Sequence, residues 1–198
     1  MNIKLFDKWD ISNVMVQDPG IRDYVNLKQM IVIKSCGRHT DVRFHRNKTP
    51  VIERLMNKIL VTGHKGKIHK VSSGHFSGKG IHAYNLVKKA FMIIEQKTKK
   101  NPVEVFIKAL ENSSPREEIT TIEYGGARYP QAVECAPQRR IDMALRYLTQ
   151  GAYHASFRHK VKIEEALANE IILAYNMDNK SNALAKKLEI ERQSDSSR

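Results

Sequence analysis

Residues 118–133 read Glu-Ile-Thr-Thr-Ile-Glu-Tyr-Gly-Gly-Ala-Arg-Tyr-Pro-Gln-Ala-Val, and this stretch decides the fold. Two short β-prone runs flank Gly125-Gly126, and a glycine pair supplies the positive φ angles that a tight turn needs. The pattern predicts a β-hairpin over about 118–134. Pro130 has no amide to donate, so the second strand cannot lie inside a wider sheet. A two-stranded ribbon has no second layer of its own and must project from, or lean on, other elements.

On both sides of the hairpin the apolar period is helical. Upstream, Thr49-Pro50 reads as an N-cap followed by proline at the first helical position. Val51, Ile52, Leu55, Met56, Ile59 and Leu60 then form one face, and Gly63 is the expected end. A second helix is predicted from about 81 to 97, with Tyr84, Val87, Phe91 and Ile94 as its stripe. Asn101-Pro102 opens a third, which buries Val103, Phe106, Ile107 and Leu110 and stops before Pro115. Downstream, Pro137 opens a fourth that Gly151 should end. A fifth covers about 161–175. A last, thinly apolar one covers about 182–192, with a polar tail from Gln193 that should fray.

Residues 1–48 hold no sustained period. Leu5, Phe6 and Trp9 are candidate anchors, and Asp18-Pro19-Gly20 is a turn signal. The expected fold is therefore mainly α: a bundle of about six helices, with a protruding two-stranded hairpin between the third and fourth. An extended basic N-terminal arm (1–48) precedes the helical domain (49–198).

Charge narrows the function. The chain of 198 residues has a net charge of +13. Between Lys28 and Lys100, 17 Lys and Arg face three acids, Asp41, Glu53 and Glu95, so the remainder sums to about −1. A compact protein repels itself at such a charge, and a polyanionic partner is the usual reason for it. Cys36 and Cys135 are too few for a disulfide framework and read as one semi-buried and one buried thiol. The longest apolar runs are about five residues, against about 20 for a membrane span. The N-terminus mixes Asp7 and Asp10 with Lys4 and Lys8, unlike a signal peptide. A soluble, cytoplasmic protein is expected.

The candidate RNA-binding residues fall into four groups. Arg38, Arg43, Arg46 and Lys48 run along the base of the arm and continue into Arg54 and Lys58, which share a helix face four residues apart. The Gly- and Lys-rich loop 63–80 supplies Lys65, Lys67, Lys70 and Lys79. Arg139-Arg140 occupies the first turn of the fourth helix, where free N–H groups already favour an anion. Arg158 follows Tyr153, His154 and Phe157, a mixture of rings and cations that can stack on bases, although Phe157 serves equally well as packing.

Other chemistry finds little support. His64, His69, His75 and His82 lie 5, 6 and 7 residues apart with no local cysteine, unlike a zinc site. A P-loop fails because Gly74 to Gly78 encloses three residues and Gly80 follows Lys79 where Ser or Thr should stand. Glu117-Glu118 and Glu164-Glu165 are adjacent pairs that do not face each other. No cofactor, no metal and no catalytic residue is expected. A DNA-binding regulator would need Lys88 and Lys89 of the second helix as its readers. An RNA-modifying enzyme would need a cofactor loop or convergent acids.

The order of elements closely resembles the small-subunit ribosomal protein seven family (universal S-seven). Local sequence resembles it too. Leu5-Phe6-Asp7-Lys8-Trp9 and Asp18-Pro19-Gly20-Ile21-Arg22-Asp23-Tyr24 look like the arm of archaeal and eukaryotic members. Pro50-Val51-Ile52-Glu53-Arg54-Leu55, Asn112-Ser113-Ser114-Pro115-Arg116-Glu117, Pro137-Gln138-Arg139-Arg140 and Leu167-Ala168-Asn169-Glu170-Ile171-Ile172 look like its later motifs. The likeness spans essentially the whole chain and favours an archaeal-type member.

That resemblance implies a non-catalytic component of the small subunit. It implies binding to the three-prime major domain of small-subunit rRNA, nucleation of head assembly, and a hairpin near exit-site tRNA and mRNA. The hairpin residues carried over are Tyr124, Gly125, Gly126, Arg128 and Tyr129. The implied protein neighbours belong to the S-nine and S-eleven families. Two departures stand out: the loop 64–80 is longer than the common pattern, and Arg128 is the only cation at the hairpin tip.

Overall fold

The computed structural model describes residues 4–30, 32–38, 40–61 and 76–198. Among them are a one-turn helix α1 (Pro19–Arg22), then α2 (Val51–Ile59), α3 (Gly80–Thr98) and α4 (Pro102–Ser113). The hairpin β1 (Glu117–Tyr124) and β2 (Ala127–Glu134) follows, and then α5 (Pro137–Ser156), α6 (Ile163–Tyr175) and α7 (Asn182–Asp195). The expected mainly helical architecture holds, with the hairpin set between two helices.

α6 is the centre of the bundle and packs against α3, α4 and α5. Its buried face holds Ala166, Ala168 and Ala174 beside Leu167 and Ile171, and small side chains let the neighbouring helices come close. α3 turns Ala83, Leu86, Val87, Ala90, Phe91 and Ile94 inward at spacings of three and four. α4 starts as its sequence says: the Asn101 side chain accepts from Val103 N at 3.0 Å, and Pro102 fills the first turn. Most of its length is buried.

Two helix signals read differently in three dimensions. Thr49 is not the cap of α2. The helix begins at Val51, whose amide donates to the carbonyl of Asn26 at 3.0 Å, so the arm satisfies the first turn. Gly151 does not end α5, which continues to Ser156. A Cβ at Gly151 would lie 2.7 Å from the carboxyl carbon of Glu170 and 3.0 Å from Cβ of Asn182. This glycine exists for the close approach of α5 to α6 and the start of α7.

The arm is extended yet far from detached. Leu5, Phe6, Trp9, Ile11, Val16, Ile21 and Val25 all belong to the core. Phe6 and Trp9 meet Phe91 edge-on with ring centroids 6.1 and 5.9 Å apart. Each buried side chain of this size contributes about 1.5–3 kcal/mol, and together with the Arg140–Asp18 and Val51–Asn26 hydrogen bonds these side chains tie residues 5–26 to the helices. The segment 34–49 has no fully buried side chain among its described residues, and it is also where the cations lie.

The hairpin closes at Tyr124↔Ala127 through Gly125 and Gly126, with φ of +59° and +82°. Positive φ at both central positions defines a turn of the I′ kind, whose twist matches the strands. Residues 120–131 are all exposed, so the ribbon projects. Its base rests on α7. The tail expected to fray is ordered here: Ser194 is fully buried and its Oγ donates to the carbonyl of Glu118 at 3.4 Å, while Arg198 pairs with Glu117. The composition of 193–198 is polar because its partners are the polar groups at the strand base.

Candidate nucleic-acid interface

One carboxylate organises the cations of the arm and α2. Asp142, one turn into α5, accepts from Arg46 Nη1 at 2.7 Å and lies 3.4 Å from Arg54 Nη2 and 3.8 Å from Lys58 Nζ. Arg54 and Lys58 share one face of α2, as their spacing requires. Burial works to raise the Asp142 carboxyl, but Arg54, Lys58 and Arg46 outweigh it and hold it below the ordinary aspartate value. Lys58 is driven the other way. Burial lowers it, and Arg146, Arg46 and Arg54 add repulsion that Asp142 only partly offsets. Three cations against one carboxylate leave this ridge positive. Arg146, which the sequence reading did not select, adds a fourth from the same face of α5.

Beside the ridge, Lys34, Arg38, Arg43 and Lys48 are exposed, and none pairs with a described carboxylate. Phe44 sits in the left-handed region at φ +60°, with its ring 65% exposed and the Arg43 guanidinium 5.2 Å from the ring centroid. A cleft of about 400 Å³ between this segment and α2 is lined by Lys34, Thr40, His45, Arg46, Arg54 and Lys58. The spatial order of these groups is a cationic strip with one exposed ring, Phe44, suited to the backbone of a polyanion.

The remaining candidates fall into different places. Arg54 is 5% exposed: besides Asp142 it donates to the carbonyl of Tyr24 at 3.3 Å, so it ties α2 to α5 and the arm. Arg140 is also buried, donating to Asp18 at 2.6 Å and to the carbonyl of Pro115 at 3.1 Å. Arg139 is exposed but bonded to Glu118 at 2.6 Å. The pair Arg139-Arg140 thus holds the arm's turn and the hairpin base. Arg158 lies at the far end of α5 with its guanidinium 5.3 Å from the Phe157 ring, which in turn stacks on Tyr153 at 5.1 Å. Lys79 is exposed. Lys65, Lys67 and Lys70 lie outside the described residues, as do His64, His69 and His75.

At the hairpin tip Tyr124 is 82% and Tyr129 57% exposed, and Arg128 sits 3.6 Å from Glu123. The tip offers rings more than net charge. Cys36 is exposed rather than semi-buried. Cys135 is buried, and burial next to Glu118 pushes its thiol up to about 11, which leaves it protonated and unreactive. On α3, Lys89 meets Glu164 at 3.4 Å, and Lys88 is half-buried. No helix of the described residues is long and apolar enough to cross a membrane.

A basic strip on a helical body with a projecting ribbon is the kind of scaffold that suits a nucleic acid. Comparison with known proteins gives the particular family. The family model described as ribosomal protein S7p/S5e matches residues 21–198. The small ribosomal subunit protein uS7 of Nanoarchaeum equitans is 54% identical over 198 residues, covering all of both chains. The proteins of the same name from Methanosphaera stadtmanae and Methanothermobacter thermautotrophicus are each 45% identical, over 97% and 95% of both chains respectively. The chain belongs to this ribosomal protein family, in its archaeal type, and is a structural ribosomal protein rather than an enzyme.

Proposed function

We propose that the chain is a component of the small ribosomal subunit that binds the three-prime major domain of small-subunit rRNA and nucleates assembly of the head. The observation that carries this reading is the strip formed by Lys34, Arg38, Arg43, Arg46, Lys48, Lys58 and Arg146, with Asp142 as the carboxylate set among them. Arg54 and Arg140 then act through the fold, by holding the arm against α2 and α5. Lys65, Lys67, Lys70, Lys79, Arg139 and Arg158 extend the RNA contact. In this reading residues 1–48 are the arm and 49–198 the helical domain.

The hairpin, with Tyr124, Gly125, Gly126, Arg128 and Tyr129, lies near tRNA and mRNA at the exit site and meets bases through its rings. Proteins of the S-nine and S-eleven families are its neighbours, and the particle is cytoplasmic. The test is binding to a folded three-prime major domain fragment as salt is varied. Each phosphate contact should add about 0.7–0.9 to the slope of log K against log salt. Reversing Arg43, Arg46 and Lys48 to Glu should abolish binding while the helical circular dichroism stays. Wild-type affinity of that triple variant at low salt would rule the strip out.

A further inference from the structure

Glu53 is a buried acid in the most basic part of the chain, and half of it is unused. It is 5% exposed; Oε1 accepts from both the amide and the hydroxyl of Ser35 at 2.8 Å, while the buried Oε2 has no hydrogen-bond partner. A buried oxygen left without a donor is costly, so such an atom calls for a ligand. Glu53 stands with Lys34 and Asn57 in a wall between two clefts. One is the basic cleft described above. The other is an apolar groove of about 390 Å³ walled by Ile33, Met56, Leu60 and Tyr84, with Val32 and Ile81 at its rim. Those two rim side chains are 64% and 76% exposed. On the basic side, Arg54 Nε is likewise buried and unpartnered.

This arrangement asks for an occupant with flat apolar faces, an N–H donor on its edge and a negative group close by. A nucleotide has that order. We propose that one unpaired nucleobase of the bound RNA enters the apolar groove and donates an edge N–H to Glu53 Oε2, while its phosphate rests on the cations of the adjoining cleft. The proposal rests on the RNA-binding reading above and adds a base-reading site to it. Phosphate contacts position a protein, whereas contacts to splayed bases give it sequence preference.

The test uses the full chain, the folded three-prime major domain RNA, and two variants. Glu53→Gln keeps an oxygen for Ser35 but replaces an acceptor by a donor. Ile81→Ser strips the exposed rim and leaves Ser35 and the core untouched. Both should weaken binding about tenfold, the size of one base contact, with an unchanged salt slope. Chemical probing of Watson–Crick edges should show one nucleotide protected by the wild type and exposed with either variant. Unchanged or tighter binding by both variants, with the Arg43/Arg46/Lys48 reversal still abolishing it, would overturn the base site and leave RNA binding intact. Failure of the wild type to bind this RNA would overturn both. Should Glu53→Gln unfold, Ile81→Ser and its protection pattern decide alone.

Discussion

Arg140 of α5 donates to the carboxylate of Asp18 at 2.6 Å, across 122 positions of the chain. The same guanidinium reaches the carbonyl of Pro115 between α4 and β1. One side chain thus joins the arm's turn, the hairpin base and the helix that follows. Burial alone would raise the Asp18 carboxyl, but the Arg140 hydrogen bond and the Gly20 amide outweigh it and lower it below 3.8.

Replacing Arg140 by Ala strands Asp18 in a half-buried place. Removing one partner of a buried pair costs about 3–5 kcal/mol, and we expect about 3 kcal/mol here because Asp18 keeps 22% of its side-chain surface exposed. Denaturant unfolding measures it. The sign with pH follows from the lowered Asp18 value. The pair's stabilisation is present above the unfolded value of 3.8 and is lost as pH falls through the lower folded one. Arg140→Ala should flatten that part of the acid limb, and an undiminished limb would show that other carboxylates set it.

Glu170 gives the opposite sign. It caps the start of α7, accepting from Ser181 Oγ at 2.8 Å and Ala183 N at 3.0 Å. Burial nonetheless outweighs these bonds and raises its carboxyl above 4.5. Folding therefore loses stability as pH rises from 4.5 through the folded value. Glu170→Gln should melt higher than wild type at pH 7, with the gap closing as pH falls below 4.5. A gap independent of pH would mean that packing, not ionisation, is responsible.

Gly151 faces that carboxyl. In an open helix, Gly→Ala gains about 1 kcal/mol. Here the added Cβ meets Glu170 at 2.7 Å and Asn182 at 3.0 Å, and overpacking costs about 1–3 kcal/mol. We expect Gly151→Ala to destabilise, read as a lower urea midpoint. A rise would show that α6 gives way easily.

The last contacts of α7 hold the hairpin base. Deleting residues 193–198 removes the Ser194 and Arg198 bonds to β1. Hydrogen exchange at Glu118 and Ile119 should quicken while α3, α4 and α6 keep their protection. Uniform exchange across the chain would mean the tail supports the whole bundle.

Much of this molecule is legible in its sequence. Asn101-Pro102 fixes the start of α4, Gly125-Gly126 fixes the turn, and the stripes of α3 and α6 fix their inward faces, because each signal acts within one or two turns of chain. The misses share a cause. Gly151, Thr49 and the 193–198 tail take their meaning from Glu170, Asn26 and Glu118, which lie 19 or more positions away. In the candidate site, Arg43 and Lys48 are legible as uncompensated charge, and Arg46 as an exposed cation, although Asp142 pairs with it. Arg54 and Arg140 look identical to them in sequence, yet Asp142 and Asp18 draw both inside, and no local pattern announces a pairing over 88 or 122 positions. Arg146 escaped for the complementary reason: alone on its helix, it joins a strip only when α2 lies alongside.

The ribbon has one further consequence, for the protein outside any particle. Two strands leave two open flanks, and an open flank is a template on which a second copy can add a strand. Counting from the closing pair, Thr121 and Pro130 fall where amides point away from the ribbon. Proline at 130 therefore removes a donor from the outer flank of β2 at no cost to the ladder. The projecting element is blunted against self-association along that flank.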